Sequence, residues 1–110
     1  MEIIVNEIDG ITLVSINGKL DSTTAPVAEN EINSILEKQV KKMVVSLKDT
    51  AYVSSAGLRV FLATAKKMTA AGGAVKFCSP NDIVKEILDV SGFTTILDVK
   101  STEEEALGSL

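Results

Sequence analysis

The chain has 110 residues, 45% of them hydrophobic and 24% charged, with a formal net charge of −4. This balance fits one folded domain, excludes a disordered chain, and leaves no clustered Lys/Arg for nucleic acid or an anionic membrane. The histidine count is 0, which excludes Ser-His and Cys-His catalysis, His-ligated metal and a phosphohistidine role.

Aromatic residues make up only 4% and Trp is absent, so the core is expected to be aliphatic. The basic doublets Lys41-Lys42 and Lys66-Lys67 read as solvated surface. The lone cysteine, Cys78, cannot form an internal disulfide, which suits a reducing compartment. No cationic start with an apolar core follows Met1, and no apolar run approaches the ~20 residues needed to cross a bilayer. A cytoplasmic location is expected.

Residues 2–8 and 11–17 are rich in Ile, Val and Leu, and Asp9-Gly10 between them predicts a hairpin with a type I′ turn. Residues 24–38 read as a helix, with Thr23 or Thr24 as cap, Pro26 in the first turn, and a stripe of Ala28, Ile32, Ile35 and Leu36. Residues 43–47 predict a short buried strand, followed by a loop from Lys48 to Val53. A second helix is expected over 55–70, where Leu58, Phe61, Leu62, Ala65 and Met68 recur at spacings of three and four. Gly72-Gly73 should end it.

Residues 74–78 predict a strand. Ser79-Pro80-Asn81-Asp82 then reads as a helix start, with Ser79 as cap and Pro80 in the first helical position. That helix carries Ile83, Val84, Ile87 and Leu88 and stops at Gly92. Residues 95–99 predict a last strand, and Ser101-Thr102-Glu103-Glu104 a capping box opening a short terminal helix. Strands and helices alternating after a hairpin imply an α/β fold. Its sheet should be mixed, four- or five-stranded, with helices packed against it, in one domain over residues 1–110.

In such a sheet, functional loops gather at the carboxyl ends of the strands. Two loops qualify, Gly18 to Thr24 and Tyr52 to Leu58. Ser54 and Ser55 lie at a helix start, where free N–H groups and the helix dipole favour negative charge. A phosphate on Ser55 would bring about −1.5 to −2 charges there without unfolding the domain. By residue type alone, the N-cap is the favoured reading of Ser54 or Ser55, since Ser is a common cap.

The segment Tyr52-Val53-Ser54-Ser55-Ala56-Gly57-Leu58-Arg59 resembles the signature of STAS domains, specifically of bacterial anti-sigma factor antagonists. Gly18-Lys19-Leu20-Asp21 resembles that family's second marker, Gly-x-Leu/Ile-Asp, and the stretch from Ala71-Gly72-Gly73 to Ser91-Gly92-Phe93 follows its layout. The resemblance spans nearly the whole chain. It implies a non-enzymatic switch that binds a serine kinase acting also as anti-sigma factor, frees the sigma factor, and is reset by a serine phosphatase. The kinase would bring ATP and Mg²⁺, and no cofactor of the chain's own is implied. Aligned on Gly57-Leu58, the family's phosphoacceptor falls on Ser55. The Asp usually before it falls on Ser54, which removes one negative charge beside the acceptor and makes Ser54 the second candidate. The resemblance also makes Asp21, Ser22, Thr23, Ser54, Ser55, Ala56, Gly57, Leu58 and Arg59 the expected partner surface.

Two other readings remain. STAS-like domains also serve as unphosphorylated interaction modules in sensory assemblies and transport systems. A serine hydrolase is disfavoured, because Gly-x-Ser-x-Gly is absent and no His can act as base.

Overall fold

The computed structural model describes all residues from Met1 to Leu110. Strands β1 (Glu2–Ile8) and β2 (Ile11–Leu20) come first, followed by helix α1 (Ala25–Leu36). Strands β3 (Lys42–Ser46) and β4 (Thr50–Val53) lead into helix α2 (Ser55–Ala70). Strand β5 (Ala74–Cys78), helix α3 (Asp82–Val90), strand β6 (Val99–Lys100) and helix α4 (Glu103–Gly108) complete the chain.

The hairpin forms as its sequence predicts. Asp9 and Gly10 both take positive φ, at 51° and 80°, as a type I′ turn requires, and Ile8 faces Ile11 across it. β2 runs past residue 17 because Gly18, at φ 95°, absorbs a shift of register that lets the strand continue. That extension pairs in parallel with β4, which lies in the stretch expected to be a loop. The sheet therefore has six strands, where four or five were expected, in the order β1-β2-β3-β5-β6 with β4 beside the end of β2. Only β1 with β2 is antiparallel; the other pairings are parallel.

β3 is buried on both sides, and its alternation divides the core. Met43 and Val45 join Val14, Ile16, Phe77 and the buried faces of α1, α2 and α3 in the larger cluster. Val44 faces the other way, with Ile11, Leu13, Cys78 and Ala106 of α4. Phe61 of α2 packs on Phe77 of β5 with ring centres 5.1 Å apart, inside the favourable range for tilted aromatic pairs. Cys78 is buried at this second face, and burial pushes its thiol pKa up, as suits a small core residue.

Several helix starts differ from expectation. Asn81, not Ser79, caps α3: its Oδ1 accepts from the Val84 N–H at 2.8 Å. Its Nδ2 donates to the Thr50 carbonyl at 2.9 Å, so a tertiary bond to β4 selects Asn81 over its neighbour. Ser79 instead takes φ 59° and donates its N–H to Lys100 O, and Pro80 precedes the cap rather than following it. Thr102, not Ser101, caps α4, accepting from the Glu105 N–H at 3.1 Å. The strand expected over 95–99 is confined to Val99–Lys100, because Phe93–Thr95 wind into a short 3₁₀ turn that drops Leu97 into the core. α2 ends as predicted, with Gly72 left-handed at φ 77° and the Gly73 N–H returning to Met68 O.

Candidate functional site

The ends of β2 and β4 lie side by side, and the residues that leave them form one surface. Leu20 pairs with Val53, and the Ser54 N–H donates to Leu20 O at 2.9 Å. The loop after β2 and the start of α2 are thus fixed to each other by backbone, independent of any side chain.

Asp21 organises the first of these segments. Its Oδ1 accepts from the N–H groups of Thr23 (3.0 Å) and Thr24 (3.1 Å). Thr24 Oγ1 accepts from the Asp21 N–H and donates to Lys19 O. The backbone N–H of Thr24, with that of Thr23, holds the Asp21 carboxyl below the usual aspartate pKa. Neither threonine caps α1 through its own side chain, as the sequence alone suggested; the carboxylate of Asp21 does the equivalent work one turn earlier. Ser22 and Thr23 are exposed at the tip of this turn.

The start of α2 separates the two serines. Ser54 is the N-cap: its backbone is extended (φ −86°, ψ 177°) and its Oγ accepts from the Gly57 N–H at 3.3 Å. Ser55 is the first helical residue, and its side chain is exposed.

The residues that follow point in three directions. Ala56 and Arg59 turn toward α1 and line a shallow cavity with Ser22, Pro26 and Glu29. Arg59 folds back along the first turn, its Nε 3.4 Å from Ser55 O. Gly57 faces the sheet. A Cβ there would stand 2.8 Å from Leu20 O and from Val53 Cγ1, so only glycine lets α2 approach this closely. Gly57 is buried and shapes the surface from beneath, whereas Leu58, although mostly buried, reaches the groove on the remaining side.

On the third side, Ser54, Ser55 and Leu58 border an open groove of about 540 Å³ between α2 and α3. Tyr52, Ile83, Ile87 and Val90 supply its apolar lining. Val90 is 82% exposed and Ile83 60%, although a helix of this size has a core face available to bury such residues. The sequence places Ile83, Val84, Ile87 and Leu88 on this helix without dividing them between core and surface. Val84 and Leu88 carry the buried stripe, and Ile83 with Ile87 lies one step around the helix. Ile83, Val84, Ile87 and Leu88 form two adjacent pairs one turn apart, so periodicity alone could not separate the two phases.

No helix of the chain is long and apolar enough to cross a membrane. The STAS domain family model matches residues 2–106. The chain is 32% identical over 106 residues to the protein BtrV of Bordetella bronchiseptica, covering 96% of this chain and 91% of that one. It is 30% identical over 102 residues to the anti-sigma F factor antagonist of Paenibacillus polymyxa, covering 92% and 87% respectively. Among solved structures, an anti-sigma factor antagonist from Mycobacterium paratuberculosis superposes with a TM-score of 0.90 at 23% identity, over 98% of this chain and 92% of that one. The unphosphorylated form of the antagonist SpoIIAA gives 0.80 at 18% identity, over 96% and 93%. These structures share the fold, and the sequence matches carry the kinship: the chain belongs to the STAS domain family, among relatives named as anti-sigma factor antagonists.

Proposed function

We propose that the chain is a cytoplasmic anti-sigma factor antagonist, a single-domain binding switch and not an enzyme. In its unphosphorylated form it binds a serine kinase that is also the anti-sigma factor, and so releases the sigma factor. The kinase transfers the γ-phosphoryl group of ATP to Ser55 Oγ. It supplies the Mg²⁺ and the base, and this chain supplies only the hydroxyl. A serine phosphatase restores the free hydroxyl.

The observation that carries this reading is the separation of roles between Ser54 and Ser55. The capping bond belongs to Ser54 Oγ, so modifying the exposed Ser55 leaves the helix start intact. A phosphate there sits at the positive end of α2, which tolerates it, and beside the apolar groove, which does not welcome it in a complex. An apolar group of the partner seated in that groove would have to strip water from a nearby dianion. The same site therefore accepts the phosphate in the free protein and loses affinity in the bound one.

Incubation with candidate anti-sigma kinases and ATP, followed by mass mapping, tests the proposal. One phosphate on Ser55 is expected, and none on Ser55→Ala. Ser55→Asp should fold normally and bind the kinase less tightly; binding equal to the parent's would sink the charge-exclusion mechanism.

The second reading, an unphosphorylated interaction module, is favoured by one feature. Ser54 stands where the family's Asp usually precedes the acceptor, so the local charge next to Ser55 is lower. The same experiment separates the two, because a module would bind its partner and gain no phosphate from any kinase.

A further inference from the structure

The two edges of the sheet are built differently. β6 is two residues long and includes Lys100, which is how natural sheets blunt an edge. β1 forms the other edge. It has seven residues, no Pro, no Lys and no bulge, and pairs only with β2. Ile4 and Val5 are 41% and 47% exposed on its opposite faces. Its two charged residues, Glu2 and Glu7, lie toward its ends and leave Ile3 to Asn6 uncharged along the free edge.

The hairpin settles which backbone groups are free. In a two-residue type I′ hairpin the flanking residues, here Ile8 and Ile11, form a hydrogen-bonded pair, and bonded pairs alternate along the ladder. Asn6, Ile4 and Glu2 therefore bond to β2, while the N–H and C=O groups of Ile3, Val5 and Glu7 point outward. An antiparallel second copy centred on Val5 maps this outward set onto itself. Val5 then meets Val5 of the second copy, and Ile3 meets its Glu7. The intervening positions place Ile4 opposite Asn6 and Glu2 opposite Ile8. No two carboxylates face each other, whereas a slip by one residue in either direction turns bonding groups away, and in one direction it also opposes Glu2 to Glu7.

We propose that the free edge of β1 pairs antiparallel with β1 of a second copy, forming a two-fold dimer with one continuous sheet. Each opposed outward pair exchanges two hydrogen bonds. The Val5 side chains of the two copies meet next to Ile3, which already packs on the larger core. The interface is narrow and belongs to the weak class of associations, so dimerisation is concentration-dependent. It uses no residue of the Ser55 surface and does not depend on the proposed switch.

Sedimentation equilibrium across micromolar to millimolar concentrations, with native mass spectrometry, tests it. The parent should dimerise as concentration rises. Val5→Lys and Val5→Glu each place like charges opposite themselves at the two-fold and should raise the dissociation constant at least tenfold, with folding unchanged by circular dichroism. An equal mixture of the two variants should recover a heterodimer, because Lys then faces Glu. Ser55→Asp should dimerise like the parent, which separates this result from the fate of the switch. A parent that stays monomeric throughout, a Val5→Lys protein that dimerises normally, or a mixture that does not re-pair would each overturn the proposal.

Discussion

The Ser54 N–H donates to Leu20 O at 2.9 Å, and the same carbonyl stands 2.8 Å from where a Cβ on Gly57 would be. One backbone atom at the end of β2 therefore sets both the start and the closest approach of α2. The exposed surface around Ser55 inherits its shape from that contact.

Gly57→Ala should destabilise the protein by about 1–3 kcal/mol, the usual range for overpacking. Helix propensity argues the other way, since Ala is favoured over Gly by about 1 kcal/mol inside a helix. The clash should win because Leu20 O is main chain of a paired strand and cannot swing aside. Urea denaturation reads the sign, and a variant more stable than the parent would refute the packing account.

The two serines should separate in a stability measurement. Ser54→Ala removes the cap and should cost about 1 kcal/mol. Ser55→Ala alters an exposed first-turn side chain and should stay within about 0.5 kcal/mol of the parent. Ser54→Asp should keep the parent's stability, since Asp caps as well as Ser. Thermal melts of the three variants check all of these together, and equal losses for both alanine variants would remove the distinction between them.

Acid should weaken the loop after β2. The folded Asp21 carboxyl lies below its unfolded value of about 3.9, so its contribution is fully present above that pH and is lost as pH falls through the lower folded value. Asp98 behaves in the same sense, held down mainly by its bond to Lys76 and further by Lys100. The stability gap between the parent and Asp21→Asn should be constant near neutrality and shrink as pH falls from about 5. A carboxyl-detected NMR titration should place Asp21 below the ordinary midpoint; a midpoint at or above it would contradict the two N–H bonds.

The groove should matter for binding and not for folding. Val90→Lys and Ile83→Lys alter highly exposed residues and should shift stability by no more than about 0.5 kcal/mol. Each should weaken the partner complex by about tenfold, equivalent to about 1.4 kcal/mol. Isothermal titration against the anti-sigma partner measures this, and undiminished affinity in both variants would remove the groove from the partner surface.

The aromatic pair anchors α2 to β5, so Phe61→Ala should cost about 3–5 kcal/mol. For a domain whose total stability is about 5–15 kcal/mol, that loss lowers the melting point by many degrees. Calorimetry decides, and a loss under about 1 kcal/mol would mean the pair is not the anchor.

Local chemistry made much of this protein legible from its residues alone. Asp9-Gly10 dictated the hairpin, because few dipeptides tolerate two positive φ values in a row. The apolar spacing of Ala28, Ile32 and Ile35, and of Leu58, Phe61 and Met68, announced the buried faces of α1 and α2. The matching motifs at Gly18–Asp21 and Tyr52–Arg59 pointed to the STAS family. What tertiary structure alone decided were choices between locally equivalent options. Asn81 caps α3 in place of Ser79 because its amide also reaches Thr50 O across the fold. Residues 50–53 form a strand because the end of β2 lies alongside them to take their hydrogen bonds. Ile83 and Val90 face solvent beside Ser55 because α3 turns Val84 and Leu88 inward. A propensity acts over a few neighbouring residues, whereas each of these outcomes depends on a partner thirty or more positions away.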